Sequence, residues 1–593
     1  MASDEGIINN HIFKMKPYLA AALAILTAAS CGRNLKDGEY QLDILTTTDV
    51  HGSWFPTSYT DGGQKNSLHS IYTVIREYRD SLGADNIILL DAGDCLQGDN
   101  AAYYSNYVDT LSPHLFPRLA SYMGYDAIAV GNHDIETGHP VYDRVTAELK
   151  AKGIPFLGGN AFSGEKRYFQ TYTVLRRGGL KVAVLGYTNP NIKAWLDERL
   201  WSGIEFRSLI PLVQEDVDRI RRKEKPDAVI VAVHSGTGDG DGSSLESQGL
   251  DLLNTLRGVD FLICGHDHSA ITIDRDSISL INAGSRAGRI GHGRLTLSVR
   301  DGKVTSRKLE TDLIRVRASD ADSAMTEYFR SDYENAKAFT VREVGSLDTD
   351  LETRASFAGM CPYMNLIHNV CLSSTGADIS FAAPLTFNRT IKAGTLIYND
   401  LFTIYPYENQ LFTLELTGRQ IKDYLEYSYD GWIQTPDYGN GNHVLRIRQG
   451  ADQRSGQENW HFVNRSYNFD SAAGLDYSVD VTAGFGERVR IASLAGGKPF
   501  SEDSTYTVAM TSYRASGGGG LLFSGAGLSP EEADSRITGR YEEMRILLYN
   551  WLKDNGEFRM ASFSDPAIIG QWKFVPESAE ALIRNDMELL FGK

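Results

Sequence analysis

The chain has 593 residues, more than one hydrophobic core usually supports, so we expect two main domains. Hydrophobic residues make up 42% of the chain and charged residues 23%, which is typical of a globular protein and excludes a largely disordered one. The net charge of −17 argues against a dedicated nucleic-acid-binding protein, although a phosphorylated small molecule stays compatible if metal ions supply local positive charge.

The N-terminus has the pattern of an export signal. Two lysines precede an apolar run at residues 18–29, which is too short to span a bilayer but suits a signal peptide. Residues 28–31, Ala-Ala-Ser-Cys, resemble a bacterial lipobox, although leucine is commoner at the first of these positions. We expect a signal and lipobox region at residues 1–31, with Cys31 as a lipid anchor on a periplasmic or cell-envelope protein. Signal cleavage beside an unmodified cysteine is the alternative.

The first half of the chain alternates short apolar runs with amphipathic helical patterns. The apolar runs predict buried strands at residues 41–45, 86–90, 127–130, 181–185, 228–233 and 261–264. The apolar positions of two helical patterns each share one face: Leu68, Ile71, Ile75 and Tyr78 in the first, and Val141, Val145 and Leu149 in the second. This alternation is typical of an α/β layered domain with helices flanking the sheet.

Later segments have different sequence patterns. A polar helical pattern around residues 315–344 predicts a connector between the domains. A helix is predicted at residues 418–427, where Thr417 and Gln420 fit a capping box. Alternating polar and apolar residues at 464–491 predict strands, and a last amphipathic helix is predicted at residues 578–590.

Four cysteines remain besides Cys31. Cys361 and Cys371 lie ten positions apart and could form a disulfide, which the sequence leaves open. Cys95 and Cys264 each adjoin a polar motif, and we interpret both as small core residues.

Residues of the metal-binding type follow five of the predicted strands. In chain order these runs are Asp49-Val50-His51, Gly93-Asp94, Gly131-Asn132-His133, His234 and Gly265-His266-Asp267-His268. Open α/β sheets place their sites at the carboxyl ends of strands, so we expect the five runs to converge. Each motif alone is more often structural, and the prediction depends on the ordered set.

The ligand types also define a kind of metal site. Carboxylate, imidazole and amide oxygen together suit Zn²⁺, Mn²⁺, Fe²⁺ or Co²⁺, and they do not suit an all-oxygen calcium site. One ion needs about four ligands. Because the runs offer more candidates than that, two divalent ions that share a bridging carboxylate are the economical interpretation.

In this order the five motifs resemble those of the calcineurin-like metallophosphoesterase superfamily. The resemblance continues at residues 282–285, and the second half resembles the C-terminal domain of the 5′-nucleotidase family at residues 376–380, 405–409, 416–421 and 513–519. The resemblance covers about residues 42–520. It implies a four-layer α/β/β/α metallophosphoesterase domain followed by an α+β substrate-binding domain.

With that resemblance the chain divides into five segments. We expect the catalytic domain at residues 40–315 and the substrate-binding domain at residues 345–575. A helical linker at residues 316–344 would join them, and a terminal helix would occupy residues 576–593. The linker is also a candidate hinge, because metals on one domain and a substrate pocket on the other require closure between them.

The resemblance also assigns the metal ligands. One ion would be held by Asp49, His51, Asp94 and His268, and the other by Asp94, Asn132, His234 and His266. Asp94 would bridge the two ions. Asp91, Asp134 and Asp267 are expected to support the site rather than bind metal.

The implied reaction is hydrolysis of a phosphoester. Two ions lower the pKa of a bound water, and the resulting hydroxide attacks phosphorus. His133 directly follows the ligand Asn132, so we expect it to stabilise the transition state or protonate the leaving oxygen. Family members pair this histidine with an acidic residue three positions later, here Glu136 where aspartate is commoner. Glu136 would orient His133 and favour its charged form; a solvated surface glutamate is the alternative.

The substrate pocket is predicted in the second half. The resemblance places Tyr407 and Tyr513 as two aromatic faces around a nucleobase and Asn409 at the edge of the base. Stacking of this kind is worth about 1–3 kcal/mol per base. With 30 tyrosines in the chain, a core or interface role for either one is a serious alternative.

The chain departs from 5′-nucleotidases at two places. Residues 382–392 replace the usual Asn-Gly-Gly-x-Arg phosphate-binding loop, and Gly519 stands where an aspartate would contact ribose. Both this segment and residues 468–480 look closer to the 2′,3′-cyclic-nucleotide 2′-phosphodiesterase/3′-nucleotidase branch. Arg389 and Lys392 are candidate phosphate contacts, with surface charges as the alternative.

Three functions follow as hypotheses. The first is hydrolysis of 2′,3′-cyclic, 3′- or 5′-nucleotides by a monomer, for nucleotide salvage outside the cytoplasm. The second keeps the chemistry but acts on UDP-sugars or other phosphoesters. The third is a surface lipoprotein that binds nucleotides or metals without turnover, and the intact ligand set and His133 speak against it.

Overall fold

The computed structural model describes residues 35–275, 277–451 and 458–592. The expected signal region at residues 1–31, including Cys31, lies outside this part of the chain. Among the described residues, no helix combines the length and the apolar character that crossing a membrane requires.

The first domain is built on two six-stranded sheets. The spatial order of the first sheet is Lys303–Arg315, Arg289–Arg300, Gly38–Thr47, Ile87–Asp91, Ala127–Ala129 and Phe156–Leu157. The order of the second sheet is Ala270–Ile273, Ser279–Ala283, Phe261–Cys264, Ala228–Val233, Leu180–Tyr187 and Tyr172–Arg177. The central strands of both sheets are parallel, so their carboxyl ends lie along one edge.

Apolar side chains fill the space between the sheets and cover both outer faces. Leu42 of the first sheet and Val184 of the second lie in the inner layer. The outer faces are covered by the helices Leu68–Leu82, Leu115–Met123 and His139–Ala151 on the first sheet and by Leu209–Glu224 and Gly249–Thr255 on the second. The order helix, sheet, sheet, helix confirms the four-layer α/β/β/α prediction.

All six predicted strands are present in this domain. Ala228–Val233 and Phe261–Cys264 have the predicted bounds, whereas the strand predicted at residues 41–45 extends over Gly38–Thr47. Both predicted helical faces are buried, with Ile71 and Val145 fully covered. Strands covered on both faces have continuous apolar sequences, which explains why the sequence locates them well.

The predicted connector forms the helices Ser323–Tyr328 and Arg330–Thr340. These helices pack against the first domain, because Met325 and Phe329 are buried in its core. Phe339, near the end of the second helix, packs instead with the second domain. Most of the candidate hinge is therefore docked on the first domain.

The second domain has the predicted α+β organisation. Its main sheet has the order Ser471–Ala473, Ile379–Ala382, Thr505–Thr511, Gln410–Thr417 and Ile537–Glu543. Two smaller sheets contain Gly394–Ile397, Glu343–Leu347 and Glu557–Phe558, and Val489–Leu494, Leu475–Asp480 and Gly570–Val575. The longer helices are Pro362–Thr375, Tyr398–Ile404, Gly418–Trp432, Met544–Asn555 and Ala579–Phe591.

Two local predictions in this domain are confirmed. Thr417 Oγ1 accepts a hydrogen bond from Gln420 N at 3.3 Å, and Thr417 N donates to Gln420 Oε1 at 3.0 Å, which is the capping box. The terminal helix Ala579–Phe591 is also present. It is part of the second domain, because Ile583 lies in that domain's core.

The cysteines in the described part of the chain are all buried and unpaired: Cys95, Cys264, Cys361 and Cys371. The possible disulfide between Cys361 and Cys371 is therefore not formed. Cys95 and Cys264 are fully covered core residues, as predicted.

Polar contacts join the two domains at Glu408 and at positions around it. Tyr107 donates a hydrogen bond to Glu408 Oε2 at 3.2 Å. Further bonds run from Asn100 to Asn399 at 2.8 Å, from Arg199 to Gln410 at 2.7 Å and from Arg540 to Asp197 at 3.1 Å. The start of the strand Gln410–Thr417, which Tyr407 precedes, is thus fixed against the first domain.

A buried ion pair stabilises the loops at the same end of the second domain. Asp470 is 1% exposed and Arg514 is 3% exposed. Arg514 donates to the Asp470 carboxylate through Nη2 at 2.7 Å and through Nε at 3.0 Å. It also donates to the carbonyl oxygens of Gly518 and Tyr467, so one guanidinium ties two loops together.

Asp470→Ala should lower the free energy of unfolding of this domain by about 3–5 kcal/mol, because it leaves the buried Arg514 guanidinium without its counter-charge. Scanning calorimetry measures the loss as a lower transition temperature. Asp503→Ala, which removes an exposed acid of the same domain, is the matched control and should stay within about 0.5 kcal/mol. An unchanged transition in Asp470→Ala would contradict the role given to the ion pair.

Candidate active site

The first group of predicted ligands consists of Asp49, His51 and His268, whose ligand atoms all lie within 4.8 Å of one another. Asp49 Oδ1 is 3.9 Å from His51 Nε2 and 3.5 Å from His268 Nε2, and the two imidazole nitrogens are 2.9 Å apart. Ligands of one ion at about 2.0–2.2 Å each have separations of this size. The three side chains therefore fit one metal ion.

The second group consists of Asp94, His234 and His266, again within 4.8 Å. Asp94 Oδ2 lies 3.1 Å from His234 Nε2, and Asn132 Oδ1 lies 3.0 Å from His234 Nε2 and 2.9 Å from His266 Nδ1. The same Asp94 oxygen is 3.9 Å from His51 Nε2 in the first group. One carboxylate oxygen thus faces both groups, as a bridging ligand must.

The backbone at the site is strained. Five predicted ligands have positive φ angles: Asp49 at 49°, His51 at 47°, Asp94 at 62°, His266 at 74° and His268 at 57°. Such angles cost energy in residues other than glycine and persist only where the surroundings enforce them. The close packing also requires a glycine, because a Cβ on Gly131 would lie 2.1 Å from Asp94 Oδ1.

Three further carboxylates brace these strained loops. Asp134 accepts bonds of 2.8–3.1 Å from the backbone N–H groups of Asp94, Cys95, Leu96 and Gly131. Asp91 accepts from Gly93 N at 2.7 Å, and Asp267 accepts from Thr237 N at 2.7 Å. All three act on the backbone around the ligands, which agrees with the supporting role expected for them.

The outward nitrogens of three histidines have fixed partners. His51 Nδ1 lies 3.3 Å from the carbonyl oxygen of Gln97, and His234 Nδ1 lies 2.8 Å from that of Ala92. His266 differs, because its Nε2 lies 2.8 Å from Glu246 Oε1. A ring that donates on one side presents a lone pair on the other, so His51 and His234 offer Nε2 to the site and His266 offers Nδ1.

The protonation of these groups suits a cation. Burial lowers the pKa of His51 to about 3, so this ring is in the neutral form that binds metal. Burial alone would raise the pKa of Asp94, but His234 and His133 hold it well below its ordinary value. Burial opposes a charge on His234, yet Asp94 raises its pKa to about 10. A proton on His234 Nε2 thus balances the negative charge of Asp94, a role that a bound metal ion would otherwise have.

His133 lies beside the ligand groups without joining them. Its backbone N–H donates to Asp94 Oδ1 at 2.8 Å, and its ring centroid is 5.3 Å from that of His51. Its Nδ1 is bonded to Glu136 Oε2. Burial would lower the pKa of His133, but Asp94 and Glu136 raise it to about 9. Glu136 is 9% exposed, so the alternative of a solvated surface glutamate is wrong.

The second domain brings Tyr407 and Tyr513 to one end of its main sheet. Tyr407 precedes the strand Gln410–Thr417 and Tyr513 follows the strand Thr505–Thr511, and these strands are antiparallel neighbours. Tyr407 is 36% exposed, which excludes a core position. The ring of Tyr513 lies against Gly518, where a Cβ would come within 2.4 Å of it.

Charged groups of the first domain face these tyrosines. Burial raises the pKa of Tyr407; Glu136 adds to the rise, and Arg286 opposes it. Burial raises the pKa of Tyr513 to about 12, and Glu246 contributes. Tyr407 and Tyr513 therefore lie near enough to charged groups of the first domain to be affected by them electrostatically. Asn409 Nδ2 donates to Tyr405 OH at 3.3 Å, which leaves its second N–H and its Oδ1 for a contact with a base edge.

The two candidate phosphate contacts lie on the surface of the second domain. Lys392 Nζ is bonded to Asp350 Oδ2 at 2.8 Å, and Arg389 is exposed while its backbone N–H donates to Thr353 Oγ1. Both positions fit the alternative interpretation, surface charges. Gly519 is also explained, because a Cβ there would lie 2.5 Å from Asn468 Oδ1.

Sequence reasoning missed several residues at the site. Glu246 and Trp195 both contact His266, the tryptophan by ring stacking at a centroid distance of 5.1 Å. Tyr467 acts on the pKa of both Tyr407 and Tyr513. None of these residues belongs to a motif, and only the folded loops bring them to the site.

Family models match both halves of the chain. Residues 42–270 match the calcineurin-like phosphoesterase model, and residues 340–525 match the model of the 5′-nucleotidase C-terminal domain. Together the two models span more than half of the chain. The order of the two matches is the order of the two domains in the structure.

Proteins of known description are similar to this chain over most of its length. The 2′,3′-cyclic-nucleotide 2′-phosphodiesterase/3′-nucleotidase of Salmonella typhimurium is 24% identical, and the match covers 95% of this chain and 92% of that protein. The trifunctional nucleotide phosphoesterase YfkN of Bacillus subtilis is 23% identical over 86% of this chain, and the match spans only 38% of YfkN. A Staphylococcus aureus protein described as a 5′-nucleotidase has the same fold, with a TM-score of 0.74 and 21% identity over 90% of this chain and 99% of that one. The chain belongs to the calcineurin-like phosphoesterases that carry a 5′-nucleotidase C-terminal domain.

Proposed function

We propose that the protein hydrolyses nucleotide phosphoesters with two divalent metal ions. The observation that carries the proposal is the position of Asp94 Oδ2 between two ligand groups, beside His133. Exposed tyrosine at the facing edge of the second domain supports a nucleotide substrate, since nucleobases stack on aromatic rings. The name of the Salmonella relative favours 2′,3′-cyclic and 3′-nucleotides.

The metal assignment follows the two ligand groups. One ion would be held by Asp49, His51, Asp94 and His268, and the other by Asp94, Asn132, His234 and His266. The mixed nitrogen and oxygen donors suit Zn²⁺, Mn²⁺, Fe²⁺ or Co²⁺. When bound, two such ions supply a nucleophilic water at neutral pH and neutralise the charge of the phosphoryl oxygens.

His133 would complete the reaction by giving a proton to the leaving oxygen. Its Nδ1 is held by Glu136, so Nε2 is the atom that can reach a substrate. Its side chain is 26% exposed and Glu136 lies behind it, which leaves the imidazole accessible and oriented. Glu136 also stabilises the charged form of the ring that serves as an acid.

The base pocket would be formed by Tyr407 and Tyr513, with Asn409 at the edge of the base. The cations of segment 382–392 are exposed, and Lys392 is paired with Asp350, so they would contribute little to phosphate binding. The charge of the reacting phosphate would then be balanced mainly by the metal ions. This arrangement supports cyclic and 3′-nucleotides over 5′-nucleotides.

Sequence patterns support the remaining assignments. We propose a catalytic domain at residues 40–315, a linker at 316–344 that packs mostly on it, and a substrate domain at 345–575 on which a terminal helix at 576–593 packs. The apolar N-terminal run supports export to the periplasm or cell envelope, with a lipid anchor at Cys31. We expect the protein to act there as a monomer.

Phosphate release from four substrates tests the function directly. We expect turnover of 2′,3′-cyclic AMP and 3′-AMP to exceed that of 5′-AMP and UDP-glucose when a divalent metal is supplied, because the usual 5′-type phosphate loop is replaced. For the cyclic substrate and UDP-glucose a phosphatase is added, so that ring opening and cleavage of the diphosphate both become visible as released phosphate. Bound metal without turnover of any of the four compounds would contradict the proposal.

His133→Ala should lower kcat by about 10²–10⁴-fold while both metal ions stay bound, because it removes a proton donor and no ligand. Steady-state kinetics and metal analysis of the same preparation measure the two effects. His139→Ala is the control and should keep full turnover. It removes an imidazole that is paired with Asp143 within the helix His139–Ala151. Loss of metal from His133→Ala would show that its assigned role is wrong.

Tyr407→Ala and Tyr513→Ala should each raise KM for 3′-AMP by about fivefold to 150-fold, which corresponds to the loss of about 1–3 kcal/mol of stacking. Hydrolysis of bis-p-nitrophenyl phosphate, which has no nucleobase, should change much less. Tyr438→Ala removes a tyrosine that is 95% exposed and serves as the control. Equal effects on both substrates would contradict a base pocket.

A further inference from the structure

Three contacts fix the ring of His266, and one of them has no assigned role. Asn132 Oδ1 lies 2.9 Å from Nδ1, and Trp195 stacks on the ring with an interplanar angle of 20°. On the opposite side Glu246 Oε1 lies 2.8 Å from Nε2. Glu246 is therefore the group that decides which nitrogen of His266 carries the proton.

The loop that carries Glu246 is anchored to the metal site. The carbonyl oxygen of Glu246 accepts hydrogen bonds from Ser235 Oγ at 2.9 Å, Asn189 Nδ2 at 2.9 Å and Gly236 N at 3.3 Å. Ser235 directly follows the predicted ligand His234. The backbone of Glu246 is thus held in place although its side chain is 50% exposed.

The partner of His266 differs from those of the other rings. His51 and His234 face carbonyl oxygens of the backbone, which are neutral. A carboxylate forms a stronger hydrogen bond than a neutral carbonyl, and it makes the opposite ring nitrogen a better metal ligand. Glu246 also adds negative charge beside one ligand group only.

Glu246 also lies at the border of the base pocket. Burial raises the pKa of Tyr467; Arg465 opposes the rise, and Glu246 adds to it. Glu246 acts in the same direction on Tyr513.

We propose that Glu246 is a positioning residue that presents His266 Nδ1 to the metal ion held by Asp94, Asn132 and His234. The inference rests on the proposed two-metal function and adds a residue to it. Glu246 acts through His266 and touches no reacting atom. It should therefore govern one of the two metal positions and leave the other unchanged.

Calorimetric titration of the metal-free protein with Mn²⁺ tests this directly. Glu246→Ala should weaken one of two binding steps by about 10–100-fold, the usual effect of removing a partner of a metal-ligating histidine. Glu246→Gln keeps an acceptor oxygen without the charge and should restore part of that affinity. Glu310→Ala is the matched control, because Glu310 is also 50% exposed and is paired with Lys308 away from the site.

The results separate this inference from the proposed function. Unchanged binding in Glu246→Ala, or equal weakening of both steps, would overturn the role of Glu246, as would a wild-type protein that binds no metal. A metal-free variant that melts like the wild type shows that the change is not a folding defect. If the wild type binds two ions but hydrolyses no nucleotide, the proposed function fails while the titration still decides the role of Glu246.

Discussion

The arrangement of the site depends on the carboxylate of Asp94. Its Oδ1 accepts the N–H of His133, and its Oδ2 faces His51 on one side and His234 on the other. The carboxylate is 1% exposed, so water cannot balance its charge. Positive charge must come from the surrounding groups, which is the reason that histidines or metal ions have to gather there. The same carboxylate holds the backbone of the proposed acid, so binding and catalysis share one fixed point.

Much of the surrounding structure serves to hold Asp94 in place. Its φ angle of 62° is unfavourable for a side chain of this type, and the four backbone bonds accepted by Asp134 keep the two neighbouring loops in that shape. The close approach of Gly131 leaves no room for a Cβ. The strain is offset by the packing of the two sheets, whose parallel strands deliver all the ligand loops to one edge.

The sequence predicts the parts of the structure that depend on local patterns. Buried parallel strands are continuous apolar runs, and so residues 228–233 and 261–264 were located correctly. The metal-binding motifs follow such strands, which is why Asp49, Asp94 and His266 could be named in advance. Only approximate bounds were predicted for the longer strands, because pairing with the strand Arg289–Arg300 extends Gly38–Thr47 beyond its apolar run.

Contacts between distant segments were not predictable in this way. The connector helices look like a free linker by composition, but Met325 and Phe329 are core residues of the first domain. Tyr103 of the first domain packs among residues of the second, under the guanidinium of Arg545. Glu246 reaches His266 because its loop folds back on Ser235. Each contact joins segments far apart in the chain, and no local pattern records it.

In the proposed function, substrate choice would be made at the domain boundary rather than at the metal site. The ligand groups would account for cleavage of a phosphoester, whereas Tyr407, Tyr467 and Tyr513 would shape the space for the rest of the molecule. Fixed contacts such as Tyr107 to Glu408 hold the two sides together. Small changes in these loops can therefore alter the preferred nucleotide while the chemistry stays the same.

Anomalous diffraction from crystals of the metal-loaded protein tests the central claim most directly. Two peaks should appear about 3.5–4 Å apart, each with an Asp94 carboxylate oxygen at about 2.0–2.2 Å. A single peak, or two peaks of which only one contacts Asp94, would contradict the account.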